Sequence, residues 1–498
     1  MSPEPRTRRK RTTLGGRTIV HLTAEFSPYA RTGGLAEAVA GLASFQASAG
    51  HTVVVFMPLY SSVREIAPGL EPLGPVQMIQ IGPRAEEVRF FGEMPPRPGP
   101  RVIFVDSPAY FRRAGLYGND GADYADNHLR FALFCMAALA GIKLYVDGPV
   151  LLHVHDWHAA LAAVYLRSYS TLREAFGPTP VIVSVHNAGY QGHFPETAME
   201  ELGLPWELWR LDRLEWYGQL NLLKGALTHC DMAITVSPTH AAELCTPQGG
   251  FGLHDVFQHL GTRLVGICNG IDQHLWNPAE DDQIAARYSR DDLSGKLACK
   301  SALQRAFGLR ERPEAPLLGM TGRLVTQKGF DIILGSNCIH SLDAQFIFLG
   351  RGEPWVHAAL ATLAFERPEH VAVEFAFTDL LEHRLMAGSD TLLMPSLYEP
   401  CGLAQMRAQL YGTPVIGRNI GGIHDTVIDG STGFLFDEFR IDALDHAIAR
   451  SLDAFARPRT WKPMMRRAMK QDFSWGRAAA AYEEVYRSAG ALVAERGD

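Results

Sequence analysis

The stretch GMTGRLVTQKGFDIIL (319–334) ends an apolar, strand-like run and sets Arg323 and Lys328 ahead of Gly329, which opens a helix. Two cations and a helix N-terminus at the carboxyl end of one strand suit a diphosphate, arginine offering a planar fork and lysine a point charge. In LMPSLYEPCGLAQMRAQLYGTPVIGRNIGGIHDTV (393–427), Glu399 follows a buried strand, Pro400, Cys401 and Gly402 form a turn, and a helix runs from about Leu403. The amides of Cys401, Gly402 and Leu403 then point at the ligand. Glu399, near the later glycine pair Gly421–Gly422, reads as a clamp on sugar hydroxyls. SPYARTGGLAEA (27–38) places Arg31, Gly33 and Gly34 between a strand and a helix. Glycines admit a ligand to the backbone, and the helix start offers free N–H groups. Taken alone, a tight turn with a solvated arginine is the stronger reading of that loop. Asp156, in VHDWHAA, and His186 and Asn187, in SVHNAGYQGHF, follow apolar strands, where they can bond sugar hydroxyls. Helix capping is the competing role for Asp156. His153 and His155 share a strand face with His158 nearby, but no carboxylate or cysteine completes a metal set, so no metal is expected. Cys401 has no histidine beside it in the sequence to activate a nucleophilic thiolate.

The elements that must position these residues are short β-rich runs alternating with helical patterns, among them TIVHLTA, TVVVFMP, VLLHVHD, PVIVSVHN, LLGMTGRL, QFIFLGRG and TLLMPS. Continuous apolar runs suit parallel strands buried on both faces, and strand–helix alternation predicts a doubly wound α/β architecture. About a dozen strands is too many for one open sheet, so two Rossmann-like domains are expected. The layout is a basic, disordered tail over 1–16, an N-terminal domain over 17–264, a C-terminal domain over 265–475, and a helix over 476–498 that crosses back to the first domain. Ligands of such sheets bind off the carboxyl ends of the strands, where the residues above sit. The chain has 498 residues, 47% hydrophobic and 20% charged, an ordinary globular composition with room for two or more domains. A net charge of −7 gives no nucleic-acid footprint. Seven scattered cysteines without C-x-x-C point to a reducing compartment and a cytoplasmic protein. No apolar run reaches membrane-spanning length, so no membrane partner is expected. The basic N-terminus lacks the apolar segment of a signal peptide.

Taken in order, TAEFSPYARTGGLAEA, HDWHAAL, VHNAGYQG, TVSPTHAAEL, CNGID, GRLVTQKGFDIIL, SLYEPCGLAQMRAQLYGTPVI and DFSWGRAAAAYEEVY resemble the bacterial glycogen synthases and plant starch synthases over nearly the whole chain. The resemblance implies a GT-B glycosyltransferase, with two Rossmann-like domains facing across a deep cleft. It further implies transfer of glucose from ADP-glucose to the non-reducing end of an α-1,4-glucan, with retention and with neither metal nor cofactor. His186 matches a histidine that contacts the glucose, Asp156 and Asn269 match sugar-binding positions, and Arg323 and Lys328 match the pair that neutralises the leaving diphosphate. Glu399 matches the acidic residue of E-P-C-G, Tyr117 a cleft tyrosine, and Phe377 an aromatic that stacks on adenine. Arg31 and Glu37 stand where the family usually has Lys and Asp, Ile420 where it often has Thr or Ser, and Phe377 where Tyr is more frequent. These swaps leave the preference for ADP over UDP open, and the oligomeric state is equally open.

Three rival readings remain. One is a GT-B transferase using UDP-glucose or a different acceptor. Another is a catalytically silent glucan-binding paralogue, which would have no need of a leaving-group clamp such as Arg323 and Lys328. The third, a nucleotide-binding oxidoreductase, lacks G-x-G-x-x-G after the first strand.

Overall fold

The computed structural model describes residues 14–93, 99–119 and 121–496. The tail expected over 1–16 lies outside them as far as residue 13, and Leu14, near its inner end, is buried. The chain folds as two compact units. One comprises Met1–Thr235, Leu244–Ile267 and Ala479–Asp498, and the other Val236–Glu243 and Cys268–Ala478. The sequence reading runs the first domain unbroken to 264, whereas Val236–Glu243 joins the second unit. There its Thr239 amide and hydroxyl bond the Asp425 carboxylate. The last helix spans Trp475–Arg496, and its residues from Ala479 belong to the first unit.

The first unit is built on a ten-stranded sheet. Its parallel part runs, edge to edge, through Leu264–Gly266, Met232–Thr235, Val181–Val185, Val150–His155, Thr18–Leu22, Val53–Pro58 and Arg101–Asp106. TIVHL, VVVFMP and VLLHVH are buried at every residue, as the two-sided burial of parallel strands requires. Arg84–Glu93 pairs antiparallel with Leu70–Pro72, Gln77–Ile81 and Arg101–Asp106. The apolar runs of the sequence predict no strands over 70–93, where polar residues interrupt the pattern. Ile19 lies opposite Val53 on one side and Leu151 on the other. The chain builds outward from Thr18–Leu22 to Val53–Pro58 and then returns to Val150–His155 on the opposite flank. The order therefore reverses between Thr18–Leu22 and Val150–His155, the place where doubly wound sheets open a crevice.

One correction concerns Asn127–Tyr145, which by length and composition does qualify to cross a membrane. Most of its residues are buried within the described fold, Phe131, Leu133, Phe134 and Leu139 completely or nearly so, as in the core helix of a large α/β unit.

The second unit has six parallel strands in the order Val371–Glu374, Gln345–Leu349, Leu317–Thr321, Thr391–Met394, Val415–Arg418 and Gly433–Phe436. Successive side chains of a strand point to opposite faces, and the apolar residues sort accordingly. Leu317, Ile347, Leu349, Leu392, Met394 and Val415 enter one core, and Leu318, Phe346, Phe348, Leu393 and Ile416 the other. This sheet reverses between Leu317–Thr321 and Thr391–Met394.

Candidate active site

In the first unit, the residues singled out by the sequence gather at the switch point. The loop after Thr18–Leu22 leads into the helix Gly34–Ser48, whose N-cap, Gly33, has no side-chain cap. Gly33 is extended at φ −165°, a conformation open to any residue, and a Cβ there would meet nothing within 4 Å. Neither backbone nor packing asks for glycine at 33; its effect is to leave the helix start open. Arg31 lies 3.7 Å from Glu37, so the Arg and Glu departures face each other. Glu25, which the sequence reading missed, organises this loop. Its buried carboxylate accepts from the Thr32 amide at 2.6 Å, the Thr32 hydroxyl at 2.7 Å and the Tyr117 hydroxyl at 2.7 Å. Burial and the Glu25 charge hold the Tyr117 phenol well above its ordinary pKa, keeping it a donor. The signal was a lone acid ending a strand ahead of a glycine loop.

Across the switch point, Asp156 follows Val150–His155 with φ 54°, the left-handed region that costs a non-glycine residue energy and clusters at functional sites. Its carboxylate does not cap its own helix. It accepts from the backbone N–H of His186 at 2.7 Å, tying the ends of two neighbouring strands together. Burial pushes its pKa up to about 7, against the lowering effect of the His186 and Asn187 amides. His186 is half-buried, and loss of solvent drives its pKa down to about 3, so the imidazole is neutral. The Asn187 side chain closes a local turn on the Gly189 amide at 2.9 Å.

The histidines regroup relative to expectation. His158 stacks on Tyr117 at 4.5 Å, away from His153 and His155. His21 takes its place, and ligating nitrogens of His21, His153 and His155 lie within 4.8 Å of one another. Every ring nitrogen of the three already has a hydrogen-bond partner.

In the second unit, the Lys328 ammonium pairs with the Glu399 carboxylate at 2.5 Å, and the Ser396 hydroxyl donates to the same oxygen at 2.9 Å. The pair spans the switch point, because Lys328 follows Leu317–Thr321 and Glu399 follows Thr391–Met394. Arg323 donates to Gln327 at 3.2 Å. Gly329 turns at φ 82° and packs so closely on the Pro395 carbonyl that a Cβ would overlap it. This locks the two loops together. The helix that follows starts at Ala404, with Leu403 as its N-cap. Among the described residues, the amides of Cys401, Gly402 and Leu403 have no acceptor within the chain. Burial raises the Cys401 thiol far from a reactive thiolate. Gly421 and Gly422 have a packing reason to be glycine, since side chains there would collide with the carbonyls of Glu399 and Cys401. Asn269 is buried, and its Oδ1 has no hydrogen-bond partner, an expensive state that a ligand hydroxyl would relieve. Phe377 is half-buried against one core.

Residues 18–259 match the family described as starch synthase catalytic domain, and 304–463 match glycosyl transferases group 1. The chain is 41% identical over 477 residues to a glycogen synthase of Anaeromyxobacter sp. (strain Fw109-5), covering 94% of this chain and 99% of that one. It is 38% identical over 484 residues to glycogen synthase 2 of Geobacter sulfurreducens, covering 95% and 98%. Among solved structures, the catalytic domain of starch synthase IV from Arabidopsis thaliana, bound to ADP and acarbose, superposes with a TM-score of 0.86 at 29% identity. It covers 96% of this chain and all of that one.

Proposed function

The chain belongs to the glycogen synthase and starch synthase family of glycosyltransferases and has the GT-B fold; from that premise we propose that it transfers glucose from ADP-glucose to the non-reducing end of an α-1,4-glucan, with retention and without a metal. The observation that carries the donor side is the Lys328–Glu399 pair at 2.5 Å where the second sheet reverses, with Arg323 in the same loop as Lys328. Breaking the bond from the anomeric carbon to phosphate loads negative charge onto the leaving diphosphate. Arg323, Lys328 and the amides of Cys401, Gly402 and Leu403 stabilise that charge from fixed positions. Glu399 holds the lysine in place, and Asn269 takes a sugar hydroxyl on its unpartnered oxygen. Phe377 stacks on the base. In the first unit, His186, Asp156, Asn187 and Tyr117 contact sugar hydroxyls, and Arg31, with the backbone at Gly33 and Gly34, holds an anionic part of the substrate. The acceptor hydroxyl attacks on the face the diphosphate leaves, giving its proton to a departing phosphate oxygen. ADP as the nucleotide rests on the starch synthase IV relative, which was solved with ADP. The seven free cysteines suit the cytoplasm.

Turnover with ADP-glucose and UDP-glucose on glycogen tests this reading. ADP-glucose is expected to be preferred by about tenfold or more in kcat/KM. Lys328→Ala and Glu399→Ala are expected to lose at least about a hundredfold in turnover, on the order of 3 kcal/mol per lost electrostatic contact, with the chain still folded. A UDP-glucose preference overturns the donor assignment, and near-wild-type turnover in both variants overturns the site.

A further inference from the structure

Seven side chains of the first unit form one unbroken hydrogen-bonded line ending at His186. The Gln46 amide oxygen faces His21 Nε2 at 2.8 Å, His21 Nδ1 faces His155 Nε2 at 2.9 Å, and His155 Nδ1 faces His186 Nε2 at 3.0 Å. From its other side, the Gln46 amide nitrogen donates to the Tyr486 hydroxyl at 2.8 Å. That hydroxyl reaches His153 Nδ1 at 2.9 Å, and His153 Nε2 reaches Ser184 Oγ at 2.7 Å. His21, His153 and His155 are wholly buried, and Gln46, Ser184 and Tyr486 nearly so. Burial holds His21 at a pKa of about 4, His186 at about 3, and His153 and His155 well below the usual value, so all four rings are neutral.

A neutral imidazole has one N–H and one lone pair. An amide oxygen only accepts, so His21 must carry its proton on Nε2 and accept on Nδ1. His155 must then donate from Nε2 and accept on Nδ1, and His186 must donate from Nε2. The other arm takes its direction from the same amide: Tyr486 accepts from the amide nitrogen and donates to His153 Nδ1, leaving His153 Nε2–H to donate to Ser184. His186 Nδ1 makes no hydrogen bond among the described residues.

We propose that Gln46, His21 and His155 are positioning residues that fix His186 in its Nε2–H tautomer, so that Nδ1 presents a lone pair to a hydroxyl of the bound sugar. This rests on the reading of His186 as a sugar contact. The line orients but does not conduct: two imidazoles can hand a proton along, while an amide oxygen in the middle gives it no onward path. Gln46 lies in the helix that begins at Gly34, so the element that opens at the glycine loop also sets the histidine.

Nitrogen-15 histidine spectra of the full chain test the assignment, with the His186 signals identified by their loss in His186→Gln. The wild-type chain is expected to show His186 protonated on Nε2 alone. Gln46→Met keeps the side-chain volume and removes the acceptor. It should leave a mixture of His186 tautomers and lower kcat in proportion to the fraction that loses the Nδ1 lone pair, about twofold for an even mixture, with the donor KM little changed. An Nδ1–H tautomer in the wild-type chain overturns the proposal without need of a variant. So does an unchanged tautomer or an unchanged kcat in a folded Gln46→Met chain, or one tightly held zinc per chain, which would claim the nitrogens of His21, His153 and His155. Full activity in His186→Gln instead refutes the sugar-contact reading, while the spectra judge the tautomer separately.

Discussion

Asp156 combines three features at one residue: a left-handed backbone, burial, and a carboxylate that accepts from a neighbouring strand end. Its pKa of about 7 in the folded chain stands above the roughly 3.9 of an unfolded aspartate. The folded state therefore binds the extra proton, and ionising Asp156 costs stability. The cost is absent below pH about 4, grows as pH rises to about 7, and is complete above that. It reaches at most about 4 kcal/mol. Asparagine keeps the acceptor, loses the charge and enters the left-handed region readily. Asp156→Asn should therefore melt several degrees above the wild-type chain at pH 8, with the gap closing toward pH 4. Thermal melts of the two proteins across that range check this, and a gap that widens on acidification would contradict it.

At the scale of the element, the strand-to-helix loops are the informative unit, and two glycines in them play opposite parts. Gly33 is extended with open space beside it, whereas Gly329 is left-handed and pressed on the Pro395 carbonyl. Gly33→Ala is expected to change stability by no more than about 1 kcal/mol, the difference between Gly and Ala at an N-cap, yet to raise the donor KM several-fold. Gly329→Ala must push two loops apart and should cost about 3 kcal/mol or more through overlap and strain. Chemical denaturation alongside steady-state kinetics separates the two cases. These loops were legible in the sequence because apolar runs and glycine–cation clusters are local signals. The bond from Tyr117 to Glu25, and Gly421–Gly422 as the packing floor beneath Glu399 and Cys401, were not. Both depend on segments that meet only after folding. The same holds for His21, which lies 134 residues from its partner His155, and for the antiparallel edge over 70–93, whose alternating burial follows from where the sheet ends.

At the scale of the whole molecule, continuous apolar runs sufficed to indicate two doubly wound units, since only parallel strands covered on both faces need them. The detour of Val236–Glu243 into the second unit left no such mark, because it rests on capping contacts with Asp425. The C-terminal segment is the strongest test of how the first unit is held. Tyr482, Val485, Tyr486, Ala489 and Val493 are buried, the Tyr486 hydroxyl joins Gln46 to His153, and Arg496 pairs at 2.7 Å with the fully buried Asp231. Burying each large apolar side chain contributes about 1.5–3 kcal/mol, so losing four of them removes an amount comparable to the whole stability of a domain, about 5–15 kcal/mol. Among the described residues, both cores of the second unit, by contrast, contain none beyond Phe473. A chain ending at Ala478 should thus lose the cooperative unfolding transition of the first unit while retaining that of the second. Calorimetry would show one transition of reduced enthalpy, and near-ultraviolet circular dichroism a partial loss of fixed aromatic packing. If the shortened chain instead unfolds at the wild-type temperature with the full enthalpy, the last helix is not what completes the first unit.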